Sequence, residues 1–84
     1  MTTYHVFTND VGPDGYSCFT HFQAASDTHA LAAAVERVRV FRPVKVLAIP
    51  AKEVASAFVF GSGRSATGLR PNPGVFEKWG REVL

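Results

Sequence analysis

Cysteine is almost missing from this chain: Cys18 is the one thiol in 84 residues. A lone cysteine rules out an intramolecular disulfide and a cysteine-rich zinc site. Secreted domains this small usually carry several bridges, so a reducing compartment is expected. Long apolar runs are lacking too. The longest, such as Val46 to Ile49 and Ala57 to Phe60, fall far short of the ~20 residues that span a bilayer. The opening Met1-Thr2-Thr3-Tyr4-His5 has neither the basic region nor the apolar stretch of a secretory signal. The expectation is a cytoplasmic protein with no membrane partner.

Positive charge is absent from the first 36 residues, which hold Asp10, Asp14, Asp27 and Glu36. All nine basic residues follow, against Glu53, Glu77 and Glu82, so the two parts carry about −4 and +6. Such asymmetry produces surfaces of opposite sign unless the two parts interleave in space.

Convincing catalytic sets are also scarce. Of the seven acids, Asp10, Asp14 and Asp27 fall at a turn or a helix cap, which leaves no clear carboxylate pair for acid–base work. His5, His21 and His29 are the only histidines. Regular alternation would put Cys18 and His21 on opposite faces of a strand, so they would share neither substrate nor metal. His5 could meet His21 or Cys18 across a hairpin. Gly61-Ser62-Gly63-Arg64-Ser65-Ala66 matches a dinucleotide-binding fingerprint in spelling. A true site opens a helix and has an acidic residue about 20 positions on, and Thr67-Gly68-Leu69-Arg70-Pro71 does neither. The expectation is a non-enzyme with no cofactor and no metal.

What is present describes one domain, residues 1–84. Thr3 to Thr8 is rich in β-branched and aromatic residues and reads as a strand. Asn9 to Gly15 concentrates turn formers, and Tyr16 to Ala24 reads as a second strand completing a hairpin. On it, Tyr16, Cys18, Thr20, Phe22 and Ala24 form the more apolar face, expected toward the core.

An amphipathic helix follows, from Asp27 to about Val40. Ser26 or Asp27 caps it, and Leu31, Ala34, Val35 and Val38 recur at helical spacing. Pro43 disfavours helix at Arg42. Val44 to Ile49 is apolar enough to be a strand buried on both faces. Residues 51–60 suit a short helical start followed by a strand over Ala57 to Phe60. Residues 61–74, with four glycines and two prolines, read as a flexible loop. Asn72-Pro73 reads as the cap of a short C-terminal helix over 75–84, with Gly80 costing it about 1 kcal/mol. The fold class is therefore α+β, two-layered: a mainly antiparallel sheet of three or four strands with the main helix on one face. The order of elements is ββαβ, then a strand and a short helix.

Two features suggest binding. Tyr4, Phe7, Tyr16, Phe19 and Phe22 crowd the hairpin, too many for one core face. Phe7, Tyr16 and Phe19, beside Asp10 and Asp14, are candidate contacts for a protein partner. Arg37, Arg39, Arg42 and Lys45 put four positive charges in nine residues, and Arg64 and Arg70 extend them. Such a patch suits an acidic protein surface or, as the alternative, nucleic acid. A third alternative is a small structural or assembly subunit.

Tyr4-His5-Val6-Phe7, a turn, Phe22-Gln23-Ala24-Ala25-Ser26, an alanine-rich helix and Val44-Lys45-Val46-Leu47 together resemble small accessory proteins of phages and mobile elements. Several anti-CRISPR proteins share this size and layout. The resemblance covers about residues 3–49 and is one of layout. It implies a phage-encoded inhibitor in the bacterial host cell, binding a Cas effector or surveillance complex stoichiometrically. It carries no individual residue over.

Overall fold

The computed structural model describes residues 1–11, 15–41, 45–59 and 69–83, and of Asp10, Val11 and Phe41 the backbone only. Four strands form one antiparallel sheet: β1 (Thr2–Val11), β2 (Gly15–Ala24), β3 (Lys45–Pro50) and β4 (Gly80–Glu82), in the order β2-β1-β3-β4. The helix α1 (Asp27–Val38) lies between β2 and β3 in the chain and packs on one face. The fold class is thus the α+β arrangement expected. No described helix is long and apolar enough to cross a membrane.

The continuous hydrophobicity of β3 explains its place inside the sheet. Val46, Leu47 and Ile49 are fully buried and Ala48 nearly so. Val46 and Ala48 join Tyr4, Val6 and the helix residues Ala30, Ala34, Val35 and Val38 in one cluster. Leu47 and Ile49 join Phe7, Tyr16, Val75 and Trp79 in a second cluster on the opposite face. Alternation along one short strand therefore serves both cores.

Strand β2 departs from the simple alternation. Val6 pairs with Thr20 but Phe7 pairs with Cys18, so Phe19 is an inserted bulge residue. One extra residue reverses which face every position beyond it occupies. Ala24 and half-buried Phe22 pack toward α1, whereas Tyr16 belongs to the opposite cluster. The single apolar face expected on this strand is divided at the bulge. Cys18, expected in the core, is exposed. The bulge also sets Cys18 and His21 on the same face, opposite Phe7 and His5, not on the opposite faces that regular alternation predicts.

Helix α1 starts as its sequence dictates. The Ser26 hydroxyl accepts the His29 N–H at 3.2 Å. The Tyr4 hydroxyl donates to Asp27 Oδ1 at 2.5 Å, tying β1 to the helix's first turn. After Val38 the chain tightens into a 3-10 turn over Arg39–Phe41.

The C-terminal part differs from expectation. After a 3-10 turn at Ala51–Glu53, Val54–Ala57 is a helical turn, α2. Of the strand expected over Ala57 to Phe60, the described residues to Val59 show a bridge between Phe58 and Pro71, and Phe60 lies outside them. The fourth strand instead comes last. The helix α3 (Val75–Trp79) stops after five residues, and Gly80–Glu82 turns into β4 beside Lys45–Leu47. Asn72 does not cap α3; its Nδ2 donates to the Ser56 carbonyl at 2.8 Å, joining the segment before α3 to α2. Gly74, at φ 89°, begins α3 in the left-handed conformation that glycine tolerates best. Most of the 61–74 segment, residues 61–68, lies outside the described residues.

Candidate functional site

The candidate partner-binding residues scatter over three places. Phe7 is buried, with its ring centre 4.8 Å from that of Phe58. It belongs to the core beneath the C-terminal layer and offers no outer-face anchor. Tyr16 is also buried, at 5% exposure. Phe19, the extra residue of the bulge, is 38% exposed. The side chain of Asp10, together with Asp14, Arg42 and Arg64, lies outside the described residues.

The basic residues divide between the two faces. Arg37 lays its guanidinium over the Phe22 ring at 4.7 Å, covering an aromatic that reaches the surface beside α1. Arg39 faces Glu36 at 3.8 Å, both well exposed. Lys45 shares its side of β3 with Leu47 and Ile49 and sets its ammonium over Phe76 at 5.1 Å. The sheet thus separates Lys45 from Arg37 and Arg39, so these three described members of the run do not form one patch in space.

Lys45 shares a cleft of about 400 Å³ with Arg70, and Asn9, Tyr16, Phe76 and Glu77 also line it. Hydrogen bonds fix its lining segments. Asn9 Oδ1 accepts the Lys45 N–H at 2.7 Å. Tyr16 and Leu69 exchange N–H···O bonds of 2.8 and 2.9 Å. Among the described lining residues two cations stand against one carboxylate, and Phe76 gives the cleft an apolar wall. Such a cleft suits an acidic side chain or carboxylate flanked by apolar groups. Nothing local marks Asn9, Phe76 and Glu77 as site residues; β1, carrying Asn9, and α3, carrying Phe76 and Glu77, come together beside Lys45 of β3.

The Tyr16–Leu69 exchange also orients β2. It takes place on the strand's outer side, so Tyr16 directs its N–H and C=O away from β1. Alternation then directs the main-chain groups of Ser17 toward Thr8, its partner. The main-chain groups of Cys18, His21 and Gln23 face outward, along the edge that leads from the cleft. No known protein family, curated protein or solved structure matches the chain. The site's own chemistry is therefore what bears on function.

The two edges of the sheet differ. Strand β4 has three residues and exposes Arg81 and Glu82, the short, charged form that discourages strand pairing. Strand β2 has ten residues, GYSCFTHFQA, with no proline and no Asp, Glu, Lys or Arg. Beyond the Tyr16–Leu69 bridge, main-chain pairing with an added strand meets no Asp, Glu, Lys or Arg of β2 itself.

Proposed function

We propose that this protein is a non-enzymatic binding protein of the inhibitor type, engaging a protein partner along the outer edge of β2 and in the adjoining Lys45–Arg70 cleft. The observation that carries this reading is the ten-residue, uncharged edge strand, set against a β4 edge that is short and charged. An extended segment of the partner adds to β2 through the outward main-chain groups of Cys18, His21 and Gln23. Phe19 supplies an apolar contact beside it. An acidic side chain of the same partner enters the cleft. The layout resemblance to anti-CRISPR proteins makes a Cas effector or surveillance complex the first partner to try.

The test uses titration of the purified protein into active CRISPR effector complexes, with cleavage and complex formation both measured. Inhibition saturating at one chain per complex supports the proposal. Gln23→Pro removes an outward N–H that pairs with no strand among the described residues, and Arg70→Glu reverses one cleft charge. Each should weaken binding by about tenfold or more with little change in melting temperature. Variants that bind like the parent would remove the edge and cleft from the interface. Failure to engage any effector would remove the defence complex as partner.

A further inference from the structure

A pair of imidazoles sits on the face of the hairpin opposite α1. His5 on β1 and His21 on β2 are direct cross-strand partners, with ring centres 5.6 Å apart and planes inclined by 30°. The outward direction of Tyr16 makes this a non-hydrogen-bonded pair, the kind whose Cα atoms lie about 4.5 Å apart and whose side chains approach most closely. His21 is exposed and His5 half-buried. The pair is therefore open to solvent on a rigid two-strand platform.

From this geometry we infer that His5 and His21 form a two-histidine chelate for a first-row divalent ion such as Zn²⁺. A zinc ion lies about 2.1 Å from a ligating imidazole nitrogen. The ion is then roughly 3.2 Å from each ring centre, and a tetrahedral angle puts the two centres about 5.2 Å apart. The observed spacing needs only a slight opening of that angle. Imidazole nitrogen suits zinc, copper and nickel and is a poor ligand for magnesium or calcium. Among the described residues no third His, Cys, Asp or Glu completes a larger cluster. The protein thus supplies two ligands, and the remaining positions are left to water or to a group from outside. Phe19's bulge matters here. It breaks the alternation between Cys18 and His21 while leaving His21 in register with His5.

Calorimetric titration with ZnCl₂, in a buffer that does not bind metal, tests the inference. A Cys18→Ser background removes the exposed thiol as a competing ligand. One ion per chain is expected, with binding weakened about tenfold or more in His21→Ala and again in His5→Ala. His29→Ala, on the exposed side of α1, should bind as the parent does. In NMR spectra, zinc should move the imidazole signals of His5 and His21 and leave those of His29 in place. No binding at millimolar zinc would overturn the site, as would undiminished binding in His21→Ala. Because His21 is exposed, its replacement leaves the folded state available for the measurement. The outcome is independent of whether β2 binds a protein.

Discussion

Tyr4 does at residue scale what no local sequence signal announces. Its ring lies in the core beneath α1, and its hydroxyl donates to Asp27 in the helix's first turn. The hydrogen bond to the carboxylate, then burial, then repulsion between the two like charges hold the phenol's pKa up at about 12, from 10. The sign of the linked pH effect follows directly. The unfolded chain loses this proton near pH 10, and the folded chain keeps it to about 12. Stability from Tyr4 is therefore complete below pH 10 and is lost as pH rises toward 12. Tyr4→Phe should cost about 1 kcal/mol at neutral pH, the ordinary value of a hydrogen bond. Denaturant titrations at stepped pH should show the parent's advantage shrinking between pH 10 and 12. Absorbance at 295 nm should lose the phenol that titrates near 12. A stability difference that stays constant across that range would show that the bond contributes nothing to the linkage.

At the scale of elements, Gly80 distinguishes what sequence pattern suggests from what packing requires. Inside a helix over 75–84, glycine would be a defect, and Gly80→Ala would stabilise by about 1 kcal/mol. In the folded chain Gly80 ends α3, opens β4 and lies against Leu47. A Cβ there would come within 2.7 Å of the Phe76 carbonyl oxygen and 2.8 Å of Leu47 Cδ2. Gly80→Ala should therefore destabilise, by about 1–3 kcal/mol as overpacking does, read as a lower urea midpoint. A rise in the midpoint would contradict the close packing of β4. The same contrast explains how much was legible. Helix α1 and strand β3 could be read because a stripe and a continuous apolar run are local patterns. The bulge at Phe19 could not, since it depends on how β2 registers against β1. The end of α3 could not either, because β4 forms only where β3 offers an edge. For the site, the exposure of Phe19 and Arg70 was legible. The burial of Phe7 under Phe58 and the separation of Lys45 from Arg37 and Arg39 were not, because both depend on which face of the sheet each element covers.

The whole molecule is organised around β3, which contributes to two apolar clusters on opposite faces. One contains α1; the other contains α2, α3 and Trp79. Neither cluster is complete without β3, and β3 cannot leave one without exposing the other. At 84 residues, only about 60–65% of the extended surface is buried on folding, too little for either layer to persist alone. The two faces should therefore unfold together. Each has its own probe. Helical circular dichroism reports mainly on α1, the longest helix described. Fluorescence reports on Trp79, the chain's only tryptophan, which is 8% exposed in the opposite cluster. Its indole Nε1 is buried without a hydrogen-bond acceptor among the described residues, so emission should begin at short wavelength and shift to the red on unfolding. In urea, the two transitions should superimpose in midpoint and slope, the signature of a two-state domain. A fluorescence transition well below the dichroism transition would mean that the C-terminal layer detaches while α1 stays on the sheet. In that event, Phe7, Leu47 and Ile49 would be uncovered with the helix still folded, and the two clusters would not be coupled through β3.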